Sequence, residues 1–356
     1  MRVVPIDRGP AGSPDSAESS RYGFIDNAKA IGIVLIVLGH SRGLPEYLSH
    51  LIFGFHVPLF FFISGFLLKP GKLEEPIIGH AGKMLRSLGI PYLVFFAMAW
   101  LYWLATRDIG GKALQTSGLA WYDPLAGLFS GLQTDLDIDP PLWFFPCLIA
   151  TAIVYQASRK FLGLTFSTVL FAVLAFLLAL LWPGAAISWR LPLGLDIMWI
   201  ALAFFALGQY WRAGRSTFAR SRHIPATVFL PAFALLPGAV ALTGRIDLAT
   251  MRFGALPALY LPTALCGIAA TLSISQYLPR SRIADWLSEN TLTIFPAHFL
   301  FLSLVRGMAL SLHLLPGDYQ YGIAWSIVSS ALAIVLCVPL VWCLRRSPVE
   351  IVRKAR

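Results

Sequence analysis

The chain has 356 residues, of which 57% are hydrophobic and only 13% charged, with a formal net charge of +10. Soluble domains usually carry about a quarter of their residues charged. Apolar runs recur along the whole length, so one large soluble domain is excluded in favour of a polytopic membrane protein. The positive charge does not point to nucleic acid, because the cations sit in short blocks between apolar runs, where they set topology.

In chain order, residues 1–20 are polar and rich in Pro, Gly and Ser and read as a disordered cytoplasmic tail. No early apolar h-region or A-x-A site marks a removable signal peptide. Ten spans follow, at 24–41, 48–68, 84–104, 142–161, 164–182, 194–211, 225–243, 255–278, 291–312 and 322–344. The Pro/Gly-rich WPGAAISWRLPLG separates the fifth from the sixth, and residues 347–356 form a basic tail. With the N-terminus inside, 20 Lys and Arg fall on inner segments and 6 on outer ones. The expectation is therefore an all-α polytopic bundle of about ten transmembrane helices with both termini cytoplasmic. The longest connection, 105–141, lies outside, and long loops are often functional. No internal repeat favours an inverted-repeat transporter. Cys147, Cys266, Cys337 and Cys343 all fall in apolar runs and show neither a disulfide framework nor metal-ligand spacing.

The ionisable groups inside the spans carry the functional signal. In KAIGIVLIVLGH, Lys29 and His40 are eleven residues apart, which places them within about 20° on one helix face and about 16 Å apart along the axis. Gly32 and Gly39 lie near the same stripe and permit close approach of a helix or a ligand. Asp26, one turn earlier, can pair with Lys29. His56, in FHVPLFFFISGFLL, enters the second span at a depth similar to His40, either to bracket a reacting group or to hydrogen-bond a helix. Lys83 and Arg86 stand at i and i+3 where the third span opens, which suits a bound polyanion or ordinary positive-inside anchoring. His298 and Arg306 fall in the ninth span, and an arginine this deep needs an anion, carbonyls or an aqueous cavity. Trp143, in PPLWFF, opens the fourth span, where interfacial anchoring is the plain alternative.

RYGFIDNAKAIGIVLIVLGH, FHVPLFFFISGFLL, KMLRSLGIPY, PPLWFF and SENTLTIFPAH, in that order, resemble the acyltransferase-3 family of integral membrane acyltransferases, closest to its fucose O-acetylase-like branch. The likeness runs from about Arg21 to Arg346. The family's Arg-x10-His pattern matches Lys29 and His40, and its Arg-x-x-Arg pair matches Lys83 and Arg86. Lysine stands first in both, which keeps the charge and loses the bidentate fork.

The resemblance implies transfer of an acetyl group from cytoplasmic acetyl-CoA, with no permanently bound cofactor and no metal. The acceptor is a sugar hydroxyl of a glycan or lipid-linked oligosaccharide, such as a xanthan-like exopolysaccharide unit. Lys29, Lys83 and Arg86 would hold the donor's phosphates, and its arm would thread along the glycine face of the first helix to His40. His40 would act as general base or transient acetyl acceptor, with His56, His298 or Arg306 assisting at the reacting group and the oxyanion. Trp121 and Trp143, with Tyr122, would stack on sugar rings, whereas Asp135, Asp137 and Asp139 are expected to be solvated. The implied home is the bacterial inner membrane, among lipids and possible polysaccharide-assembly proteins, with no nucleic-acid partner. A succinyl or other acyl transferase of the same fold, and a glycan or solute transporter, are the rival readings.

Overall fold

The computed structural model describes residues 23–109, 118–184, 189–217, 226–315 and 321–346. Both tails, 1–20 and 347–356, lie outside the described residues, as do Arg21, Lys112, Arg220 and Arg222 of the charge tally.

The architecture is all-α and polytopic. Helix α1 (Gly23–His40) is followed by α2 (Glu46–Phe53), α3 (His56–Leu67), the short α4 (Pro70–Glu74) and α5 (Ile77–Met84). A π-helical turn (Leu85–Gly89) joins α5 to α6 (Ile90–Thr106), and α7 (Leu125–Ser130) lies in the long loop. A 3-10 turn (Pro140–Trp143) leads into α8 (Phe144–Arg159). Then come α9 (Leu164–Leu181), α10 (Met198–Thr217), α11 (Ala226–Thr243) and a two-residue hairpin, β1 (Ile246–Asp247) against β2 (Arg252–Phe253). The chain ends with α12 (Tyr260–Tyr277), α13 (Arg282–Glu289), α14 (Thr291–Ser311) and α15 (Ile323–Arg346).

Among the described residues, nine helical stretches are long and apolar enough to cross a membrane, matching nine of the ten expected spans. The tenth, 225–243, is α11, whose apolar stretch Leu230–Thr243 is shorter and holds Pro231 and Pro237. The bundle's outer helices keep large apolar side chains exposed, among them Val169, Val173 and Leu181 of α9 and Ile327, Leu332 and Val335 of α15. Apolar faces of this extent suit lipid, not water.

Helix α1 is the central post, packed against α3, α12, α13, α14 and α15. Its Asn27 caps the end of α12 by donating to the Ser275 carbonyl at 3.1 Å and the Leu278 carbonyl at 3.0 Å. Asp26 stays within Coulombic range of Lys29 but makes its close contacts elsewhere. It accepts from the Ser288 hydroxyl at 2.8 Å and lies 3.9 Å from Arg280. Helices α3 and α10 press closest, because Gly65 faces the Phe205 carbonyl and Gly208 faces the Phe62 carbonyl with no room for a Cβ. Gln209 and Arg212 of α10 then donate to carbonyls at the end of α3, where lipid would leave them unsatisfied. Lys69, Lys72, Arg159, Arg212, Arg280 and Arg345 all gather at one end of the bundle with the starts of α1 and α14, so the charge segregation is spatial as well as sequential.

Candidate active site

The second span is broken, and the break builds the site. Gly54 ends α2, Phe55 leaves helical geometry (φ −144°), and His56 opens α3. Phe55 is swung into the space left by Gly267 of α12, which has no Cβ to oppose it. His56 Nδ1–H donates to the Ile52 carbonyl at 2.8 Å, so the imidazole occupies the carbonyl that helix termination exposes. His40, at the last position of α1, donates its Nδ1–H to the Ile36 carbonyl at 2.9 Å. His298 of α14 donates to the Phe295 carbonyl.

These three rings meet. The His40 centroid lies 6.2 Å from that of His56 and 5.0 Å from that of His298, and Phe53 sits 5.5 Å from His40 and 5.0 Å from His56. Because each Nδ1 carries its proton toward a carbonyl, each neutral ring keeps a lone pair on Nε2, the atom turned away from its own helix. His56 and His298 are buried, and His298 Nε2 has no partner among the described residues, whereas His40 is only half-buried. His40 is thus the least buried residue of the three. The hairpin strand β1 packs on α2 and brings buried Asp247 into Coulombic range of His40. Among the described residues no group of three His, Cys, Asp or Glu is arranged to hold a metal ion.

Toward the Lys/Arg-rich end, a cavity of about 320 Å³ opens between α1, α3, α5, the π turn, α8 and α14. Its polar lining includes Lys29, Lys72, His80, Ser64, Ser87 and Glu289. His80 is buried with both ring nitrogens unpartnered among the described residues, so the cavity holds hydrogen-bonding capacity that the protein itself does not use. Its inner wall is aromatic: Phe60, Phe144, Phe145 and Phe295. The Phe295 centroid lies 5.0 Å from Phe144, 5.7 Å from Phe145 and 6.2 Å from His298, so this ring separates the cavity from the histidines.

Two features of the expected donor path are corrected. The glycine face of α1 is not a channel: a Cβ at Gly32 would lie 2.9 Å from the Phe60 ring, and one at Gly39 would lie 3.0 Å from Ile52. Side chains of α2 and α3 fill that groove, and the cavity lies beside it. Nor do Lys83 and Arg86 stand at a helix start, since the helix begins at Ile77 and Arg86 falls in the π turn. Both are exposed; Lys83 pairs with Glu75 at 2.8 Å and pulls that carboxyl below its ordinary value. The cations that line the cavity are Lys29 and Lys72.

The remaining expected residues divide. Arg306 stands two turns beyond His298 and bonds the Tyr321 hydroxyl at 2.9 Å, apart from the three rings. Trp143 is 5% exposed and packs edge-on against Phe144, which leaves no face for a sugar. Trp121 is exposed beside Tyr122 and Trp100. Asp135 and Asp137 are exposed as expected, but Asp139 is buried, and burial raises its carboxyl well above the usual range. Lys72, His80 and Phe295 were not singled out in the sequence. Only their convergence from separate segments marks them, and no spacing along the chain carries that.

A family model described as an acyltransferase domain matches residues 22–342. Nodulation protein NolL of Sinorhizobium fredii is 28% identical over 173 residues, which cover 45% of this chain and 42% of that protein. The match thus spans less than half the length of this curated relative. No solved structure matches.

Proposed function

The chain belongs to the acyltransferase-3 family of integral membrane acyltransferases, and from that premise we propose that it moves an acetyl group from acetyl-CoA to a sugar hydroxyl of a bacterial glycan. The observation that carries the reading is the layout of α1. One end places Lys29 in a cavity with free hydrogen-bonding groups, and the other holds a half-buried His40 whose Nδ1 is tied to the Ile36 carbonyl, which leaves Nε2 for the reaction.

The donor's phosphates meet Lys72, Lys29 and the exposed Lys83 and Arg86. Its thin arm occupies the cavity past His80 and Ser87, with the thioester directed at the Phe295 wall. The positive-inside asymmetry supports a cytoplasmic position for this end, and the family branch supports the bacterial inner membrane as its home. The sugar arrives from the opposite end. His40 Nε2 takes the hydroxyl proton, and the oxygen attacks the thioester carbonyl. A C–O bond forms, the C–S bond breaks, and the proton passes from the imidazolium to the leaving thiolate. General-base assistance of this kind contributes about 10²–10⁴-fold. In the alternative order, His40 first accepts the acetyl group itself and the sugar then removes it. A lipid-linked exopolysaccharide unit, xanthan-like, is the acceptor that fits the family branch.

The test supplies radiolabelled acetyl-CoA to membranes holding wild-type protein or His40→Ala, with membrane levels matched by immunoblot. Label enters surface glycan with the wild type and falls at least about a hundredfold with the variant. Undiminished labelling in the variant removes His40 from the chemistry, and no labelling even by the wild type favours a transporter.

A further inference from the structure

At the end of the bundle opposite the cavity, the chain leaving His40 turns at Gly43, whose φ is +88°. A Cβ there would lie 2.6 Å from the Gly322 carbonyl oxygen and from the Tyr321 carbonyl carbon. The Ser326 hydroxyl also donates to the Arg42 carbonyl at 2.7 Å. These contacts pin the turn after α1 to the start of α15.

Arg306 of α14 reaches the same place. Its Nε donates to the Tyr321 hydroxyl at 2.9 Å, its guanidinium lies 5.7 Å from the Tyr321 ring centroid, and that ring is 5.6 Å from Trp325. The backbone pinning therefore brings two arginines together. Arg42 is exposed, yet partial desolvation first, then the charge of Arg306, press its guanidinium below its ordinary value. Among the described residues neither guanidinium pairs with a carboxylate. Topology does not account for the pair, because this is the end of the bundle that is poor in Lys and Arg. Two like charges held together beside aromatic rings form a half-built receptor for an oxyanion.

We propose that Arg42 and Arg306, with Tyr321 and Trp325, bind an acidic group of the acceptor: a sugar carboxylate or the phosphate of its carrier. The proposal deepens the acceptor half of the function above and rests on it. Arg42 follows His40 by two residues, at most about 7 Å of chain. An acceptor clamped by the two forks therefore offers a neighbouring hydroxyl to the His40 ring. The planar forks match a carboxylate or phosphate, and the rings take the apolar face of a sugar. In this arrangement Arg306 is a positioning residue for the acceptor, not a stabiliser of the oxyanion.

The experiment uses the full chain in lipid nanodiscs without donor and measures glucuronate, glucose 1-phosphate and glucose by saturation-transfer NMR. Wild-type protein is expected to bind one of the acidic sugars at least ~10-fold tighter than glucose, the scale of a charge-assisted bidentate pair. Arg42→Gln and Arg306→Gln each remove that preference, Arg42→Lys and Arg306→Lys retain part of it, and Arg252→Gln, an exposed arginine of the hairpin, leaves it unchanged. Preference for glucuronate assigns the site to a sugar carboxylate, and preference for glucose 1-phosphate assigns it to the carrier. Equal binding of all three sugars by wild-type protein overturns the proposal, as does a preference that survives both glutamine variants. A failure of the acyltransferase reading looks different: the same preparation releases no CoA from acetyl-CoA while its acidic preference remains.

Discussion

Replacing Phe295 with leucine tests whether the aromatic wall is a door for the donor. The ring is 7% exposed and stacks on Phe144 and Phe145 at centroid distances of 5.0 and 5.7 Å. Each aromatic pair contributes about 0.5–1.5 kcal/mol beyond simple burial. A swing that admits the thioester to His40 gives up both, so the closed wall is favoured by about 1–3 kcal/mol, or about 5- to 150-fold. Apparent affinity falls by the fraction of molecules that are open. Leucine keeps most of the burial but neither aromatic contact, so the apparent KM for acetyl-CoA is expected to fall by up to that factor. Release of CoA to water without acceptor should rise in step. The leucine variant is preferred because alanine would cost about 3–5 kcal/mol of packing, a large part of a typical stability of about 5–15 kcal/mol. The assay follows free thiol from purified protein in nanodiscs, with monodispersity checked by gel filtration. A folded variant whose KM is unchanged or higher refutes the door.

Three further outcomes follow from single contacts. Gly208→Ala drives a methyl group into the Phe62 carbonyl at the tightest helix crossing. Overpacking of this kind costs about 1–3 kcal/mol, so the melting temperature in nanodiscs should drop by several degrees, and an unchanged melt contradicts the packing described. The double variant Lys83→Ala, Arg86→Ala removes two exposed cations adjacent in sequence to Met84 and Ser87, which line the cavity. Discounted for solvent to about 0.2–1 kcal/mol each, it should raise the KM for acetyl-CoA about 2- to 30-fold with kcat intact, whereas an unaltered KM leaves these residues purely topogenic. Asp139 has its folded carboxyl raised by burial above the unfolded value of about 3.9. Between the two values only the folded chain holds the proton, so wild-type stability declines as pH rises, by up to about 1.4 kcal/mol per unit. Asp139→Asn removes that term, and its melting temperature should gain on the wild type from pH 5 to pH 8; parallel profiles would show that the carboxyl titrates as if solvated.

How much was legible in the residues depends on whether the signal ran along one helix or between several. The spans, the segregation of cations and the shared depth of His40 and His56 follow from the length, charge and period of single helices; nine of the ten spans are found, the cations gather at one end, and the two histidine rings meet. The arrival of His298 at the same point was not readable, because it depends on how α14 crosses α1. The glycine face of α1 shows why the remainder was hidden. Small residues at helical spacing have the same pattern whether the groove they make receives a ligand or a neighbouring side chain. Here Phe60 and Ile52 take the groove, and the free volume is displaced to the side of Lys29, where nine segments each contribute one or a few residues. Nothing in the sequence singles out His80 or Lys72, since neither period nor spacing distinguishes a side chain that faces a void. What survives this displacement is the polarity of α1 itself. Its lysine still lines the cavity and its histidine still stands at the other end of the helix beside the His298 ring, so in the proposed reaction donor and acceptor would meet across the Phe295 wall. A two-sided reaction of that kind requires the wall to move.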